Sequence, residues 1–179
     1  MDIRPATPGD AHALWEAESA TAALPGQLAS RPEEISIVSL DARIRTASQA
    51  GCFFVAEANG RLLGHAVLEP MGLIAIQHVY RLTIVVHPGQ TGLGIGTALL
   101  QHIQRWAASR PALHKIELNV RATNASAIRL YTRLGFQEEG RFRDRIRLPT
   151  GEFIDDLAMA WFPDVAPPHA SGERRPTPA

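Results

Sequence analysis

Apolar and polar residues alternate along this chain in two rhythms, and the switch between them marks out its elements. Up to about residue 50 the spacing is helical. Pro8-Gly9-Asp10 predicts a helix start with Asp10 as N-cap. Leu14, Trp15, Ala17 and Ala22 then fall within a run that Pro25-Gly26 interrupts. A second helix is predicted to open at Arg31-Pro32-Glu33-Glu34, with Ile35, Val38 and Ile44 on its buried face. The connection from Ala20 to Ser30 is polar and broken by Pro and Gly, a composition shared by substrate loops and plain connectors.

The period then shortens. Cys52-Phe53-Phe54-Val55-Ala56 predicts a strand, Asn59-Gly60 a turn, and Leu62 to Leu68 a partner strand. Tyr80 to Val86 is a β-branched run that suits a strand covered on both faces. A glycine-rich turn leads to a helix starting near Thr97, with Leu99, Ile103, Trp106 and Ala107 on one side and Ser109-Arg110-Pro111 as its end. Lys115 to Val120 alternates, with Ile116, Leu118 and Val120 on the apolar side. Ala127, Leu130, Tyr131 and Leu134 mark a last helix closed by Gly135. Two further strands, Arg141 to Leu148 and Glu152 to Trp161, meet at Pro149-Thr150-Gly151. Helices and strands in this order predict one mixed α/β domain.

Composition narrows the function classes. The chain has 179 residues, 45% of them hydrophobic, enough for one substantial core. Lysine plus arginine equals aspartate plus glutamate at 18 each, which disfavours a nucleic-acid partner bound through its phosphates. Cys52 is the single cysteine, so neither an intramolecular disulfide nor a multi-cysteine zinc site is expected. The start, Met1-Asp2-Ile3-Arg4-Pro5, lacks a signal-peptide pattern, and no apolar stretch approaches the ~20 residues that span a bilayer. A cytoplasmic protein without a membrane partner is the expectation. The seven histidines show no metal-ligand spacing, so no metal is expected. Residues 1–162 are expected to fold, whereas 163–179, with prolines at 163, 167, 168, 176 and 178, reads as a mobile tail.

The sharpest local signal is Gly92-Leu93-Gly94-Ile95-Gly96, lying between a buried strand and an amphipathic helix. A helix mouth presents unpaired N–H groups and the positive end of the dipole, and glycines let an anion approach that backbone. The loop lacks the lysine of a nucleoside-triphosphate loop, and its glycines alternate rather than follow G-x-G-x-x-G. Glu117 does lie at roughly the ~20-residue distance of a ribose ligand. Two helices and a hairpin placed first do not suit a dinucleotide half, so a dinucleotide oxidoreductase is the more distant reading.

The stretch from Val86-His87-Pro88 to Leu99-Leu100 resembles motif A of the GNAT superfamily of N-acetyltransferases, Q/R-x-x-G-x-G/A. Asn119 to Phe136, with Asn124, Ala127, Leu130-Tyr131, Arg133 and Gly135-Phe136, is similar to the same family's N-x-x-A-x-x-L-Y-x-K-x-G-F. Glu139-Gly140-Arg141 and Gly151 to Met159 resemble the branch that acts on amino acids, small amines or protein N-termini. There are two departures: Thr91 stands at the motif's first Q/R with Gln90 one place early, and Arg81 stands where many relatives carry an acid.

The resemblance implies a mostly antiparallel twisted sheet flanked by helices, and acetyl-CoA as co-substrate. It implies a primary-amine acceptor, small molecule or peptide, that attacks the thioester directly, and a possible homodimer. Ile84, Val85 and Val86 would offer backbone to the thioester; Thr91, Gly92, Leu93, Gly94, Ile95, Gly96 and Thr97 would hold the diphosphate. Asn124 would cap its helix and meet the pantetheine arm, beside Ala127 and Arg133. Tyr131 would give a proton to the departing thiolate, its phenol being protonated at neutral pH. Glu117 is the expected base, with His78 and Asp156 as alternatives. Asp155 and Asp156 are expected on opposite faces of their strand, and Arg141, Arg143, Arg145 and Arg147 on one face. A non-catalytic acyl-CoA-binding module is the reading from another class, since a fold alone does not separate the two.

Overall fold

The computed structural model describes residues 1–163. The tail expected over 163–179 therefore lies, apart from Pro163, outside the described residues. Seven strands form one sheet: β1 (Asp2–Pro5), β2 (Cys52–Ala58), β3 (Arg61–Pro70), β4 (Val79–Val86), β5 (Lys115–Arg121), β6 (Gln137–Arg147) and β7 (Phe153–Trp161). Four helices flank it: α1 (Ala11–Ala22), α2 (Ile37–Ala50), α3 (Ile95–Ala108) and α4 (Ala125–Arg133). The strand order is β1-β2-β3-β4-β5-β7-β6, antiparallel throughout except between β4 and β5. No described helix is long and apolar enough to cross a membrane.

Alternation along the central strands sends side chains into two cores. Phe54 and Ala56 of β2, Ala66 and Leu68 of β3, and Leu82 of β4 pack with Leu99, Leu100 and Ile103 of α3. On the opposite face, Phe53, Val55 and Val67 meet Leu14 of α1 and Leu40 and Ile44 of α2. Strands covered on both faces are why their sequences read as unbroken apolar runs.

Four local expectations are corrected. β1 has no sequence signal of its own: it is four residues long, an edge strand registered Ile3 to Ala56. Asp10 occupies the N-cap position of α1, as expected, but its side chain makes no capping bond; the carboxylate takes the Thr7 N–H at 2.7 Å and the Arg4 guanidinium at 2.8 Å instead. The second helix starts later than Pro32, at Ile37, where the Ser36 hydroxyl accepts from the Ser39 N–H. Pro32–Glu34 forms only a single 3-10 turn, which leaves Val38 74% exposed rather than buried. The arginine stripe on β6 is interrupted, because the register slips between Phe142 and Ile146 around Asp144, whose φ is +50°. Arg141 pairs with Asp155 at 2.5 Å, and Arg145 lies over the Phe142 ring.

Candidate active site

β4 and β5 are hydrogen-bonded neighbours only at their beginnings, from Val79 opposite Lys115 to Arg81 opposite Glu117. Beyond that point β5 pairs with β7 while β4 pairs with β3, so the two strands part. Parallel neighbours that separate leave backbone N–H and C=O groups of both strands without ladder partners, facing the gap. A cleft of about 850 Å³ fills this fork. Ile84, Val85 and Val86 line one wall, and Leu118, Asn119, Val120 and Arg121 the other.

The α3 side of the cleft is an anion cradle. Gly92 and Gly94 both sit at φ +78°, a conformation that L side chains rarely adopt, so these two positions need glycine. Gly94 stands at the N-cap of α3 without a capping side chain, and the first bond of the helix runs from the Ala98 N–H to the Gly94 carbonyl. The N–H groups of the first turn are thereby left for an outside acceptor at the positive end of the helix dipole. Gly96 is small for another reason, since a Cβ there would stand 3.0 Å from Leu130 of α4. Thr91, Ile95 and Thr97 line the same wall. Leu93 does not; its side chain is 68% exposed.

Helix α4 supplies the facing groups. The Asn124 side-chain carbonyl accepts from the Ala127 N–H at 3.1 Å and from the Ser126 hydroxyl at 3.0 Å, capping the helix. Ala127, Tyr131 and Arg133 line the cleft, and Arg133 donates to the Thr97 hydroxyl at 3.1 Å, tying α4 to the first turn of α3. The Tyr131 ring is buried against Phe136, and burial pushes its phenol up to about 12 against the opposing charge of Arg121. The group therefore stays protonated at neutral pH.

The expected bases lie elsewhere. Glu117 sits where β4 and β5 are still paired, below the fork, and does not line the cleft. Its carboxylate is held by the Lys115 ammonium at 2.7 Å, which also holds Glu139. Asp156 is fully buried and ion-paired with Arg121, with Arg145 3.6 Å from its other oxygen. Asp155 is engaged by Arg141 and the Asp144 N–H on the opposite face, so neither acid is left for a cationic amine. His78 sits beside His114, away from the cleft lining.

On the α1 side the cleft is walled by residues that sequence reasoning left unassigned. Glu18, Thr21 and Arg43 line it, as do Gln27 to Ser30 of the Pro/Gly-broken connection. Glu18 is bonded to His65 at 2.8 Å and His65 to His87 at 3.1 Å. Burial works to raise the Glu18 carboxyl, but the hydrogen bond and charge of His65, with Arg43 and His87, outweigh it and hold it low. Burial and the neighbouring His65 push His87 down to about 4. Residues 47 and 22 positions apart meet here, and no local spacing announces them.

The model of the acetyltransferase (GNAT) family matches residues 14–136, which includes the fork, the glycine loop and α4. The chain belongs to the GNAT family. Membership makes it an acetyl-CoA-dependent N-acetyltransferase. It is 35% identical over 121 residues to an uncharacterised N-acetyltransferase of Methanocaldococcus jannaschii, covering 68% of this chain and 70% of that one. It is 32% identical over 149 residues to a mycothiol acetyltransferase of Sanguibacter keddieii, a match that covers 76% of this chain but 43% of that longer protein. Among solved structures, the ribosomal-protein-alanine N-acetyltransferase of Brucella melitensis superimposes with a TM-score of 0.81 at 26% identity, over 90% of this chain and 99% of that one. The relatives that name an acceptor thus name unlike ones, mycothiol and a ribosomal-protein alanine.

Proposed function

We propose that this enzyme moves an acetyl group from acetyl-CoA to a primary amine, carried by an amino acid, a small amine or a protein N-terminus, by direct attack within the fork of β4 and β5. The observation that carries the reading is the fork itself, with the glycine cradle at one end and Tyr131 facing into it. Acetyl-CoA supplies an activated acetyl thioester there. The N–H groups at the mouth of α3 bind diphosphate oxygens, and Asn124 and Ala127 border the path of the pantetheine arm. Backbone N–H groups of β4 that point away from β3, at Ile84 and Val86, stabilise negative charge on an acyl oxygen. The Tyr131 hydroxyl gives its proton to the departing thiolate.

An acyl-cysteine route is not favoured. Cys52 is buried, and burial pushes its thiol up to about 12, so little thiolate exists at neutral pH. The relatives' differing acceptors leave the amine to experiment. Purified enzyme and acetyl-CoA screened against amines, amino acids and N-terminal peptides should release free thiol with at least one class. Thiol release with none of them, despite bound acetyl-CoA, would favour an acyl-CoA-binding module.

A further inference from the structure

Under the acceptor side of the cleft, three polar side chains form a row on the α1 face of the sheet, and acetyl transfer as described makes no use of them. Glu18 Oε1 lies 2.8 Å from His65 Nε2, His65 Nδ1 lies 3.1 Å from His87 Nε2, and His87 Nδ1 lies 3.0 Å from the Leu62 carbonyl. His65 has no exposed surface, and the Phe53 ring is 5.6 Å from its own. Apolar replacement of such buried polar groups is often neutral or stabilising, so the row is not required by packing.

The donors can be counted. A carbonyl only accepts, so His87 Nδ1 carries a proton. His87 is neutral, because its burial opposes the charged form, so its Nε2 is a bare acceptor. His65 Nδ1 must therefore donate to it. Glu18 is ionised and accepts, so His65 Nε2 also carries a proton. The distances are satisfied when His65 donates from both ring nitrogens, to Glu18 on one side and to His87 on the other.

Only one oxygen of that carboxylate is spent. Among the described residues no hydrogen bond uses Glu18 Oε2, and Glu18 is the one acidic side chain in the cleft wall. Arg43, the arginine whose charge acts on Glu18, is itself bound twice by Glu69, at 2.8 and 3.1 Å. A carboxylate tied at one oxygen gives up little rotamer freedom when the other binds a ligand.

We propose that Glu18 Oε2 anchors the acceptor, which arrives as an alkylammonium and gives a proton to water before its nitrogen attacks, and that His65 and His87 are positioning residues that hold this carboxylate in place. The proposal rests on the acetyltransferase reading of the cleft. It assigns the acceptor class as amines that are cationic at neutral pH, selected over weakly basic aromatic amines of similar size.

The test compares wild type with Glu18→Gln, whose amide oxygen can still accept from His65. The ratio of kcat/KM for an alkylamine over an aromatic amine should fall about tenfold or more, the scale of one charge-assisted hydrogen bond. The KM for acetyl-CoA should stay within about twofold, since the cradle lies on the other side of the fork. Nitrogen-15 NMR of the histidine side chains supplies a readout independent of turnover. His65 should show both ring nitrogens protonated in wild type at neutral pH, and a neutral ring in Glu18→Gln. An equal loss toward both amines, an unchanged ratio, or a neutral His65 in wild type would each overturn the proposal. Failure of acetyl-CoA to bind the wild type by calorimetry would instead strike the acetyltransferase reading, and the NMR arm would still decide the state of the row.

Discussion

Replacing Tyr131 with phenylalanine removes one oxygen from the cleft and leaves the ring in place. The ring is 7% exposed and its centroid lies 5.8 Å from that of Phe136, contacts that phenylalanine reproduces. Among the described residues the hydroxyl makes no hydrogen bond with another side chain, so its loss should change stability by no more than about 0.5 kcal/mol, or about 2 °C in melting temperature. Catalysis should respond on a different scale. A positioned general acid is worth roughly 10²–10⁴-fold in rate, or about 3–5 kcal/mol of barrier at ~1.4 kcal/mol per tenfold. Because burial keeps the phenol protonated up to about 12, that acid is present at every pH an assay would use. The measurement is thiol release at saturating acceptor and acetyl-CoA, beside calorimetric titration of acetyl-CoA and a melting curve. Turnover should fall by at least a hundredfold while affinity and melting temperature hold. A variant that keeps turnover within about threefold, or whose loss is matched by weaker acetyl-CoA binding, would refute the role.

Other outcomes follow from the same geometry. Gly94→Ala places a Cβ at φ +78°, a strain of about 1–2 kcal/mol, so it should lower the melting temperature by roughly 2–8 °C and weaken acetyl-CoA binding measured by calorimetry. Arg121→Ala strands the buried Asp156 carboxylate, and denaturant unfolding should show a loss near the lower end of about 3–5 kcal/mol because Arg145 remains 3.6 Å away. The double change Arg121→Met with Asp156→Leu should cost less than the single one, since no charge is left unpaired. Asp10 titrates at about 2, held low by hydrogen bonds from Arg4 and Thr7 against the opposing effect of burial. The unfolded chain takes up that proton near ~3.9, so the stabilisation is complete above that value and is lost as pH falls toward about 2. The melting-temperature advantage of wild type over Asp10→Asn should therefore be constant above about pH 5 and shrink in acid; an advantage that persists undiminished near pH 2 would contradict the assignment.

Much of the fold was legible where one element's signal lay within its own residues. The alternation of Ile116, Leu118 and Val120, the two-sided run of β4 and the stop at Gly135 all depend on neighbours a few positions away. The cleft wall formed by Gly92, Gly94, Gly96, Asn124 and Tyr131 was legible for the same reason. Its residues sit in two short motifs, each a turn leading into a helix. Reading failed where the partner was distant. Val38 carried an apolar side chain but lay outside the face that Ile44 buries, and Asp10 carried a capping side chain that Arg4 took first. Glu117 alternated correctly, yet alternation is silent on how far along β5 the fork begins.

The sequence by itself determined the helices, most of the strands, the glycine turn and the identity of the residues around it, because backbone conformation follows from steric and hydrogen-bond preferences acting over three or four positions. Only the tertiary structure decided where β4 and β5 separate, which acids are consumed in ion pairs, and that Glu18, His65 and His87 form one row on the α1 face of the sheet. Those facts depend on strand order and register, which are set by burial of the whole sheet between two helical layers and not by any one segment.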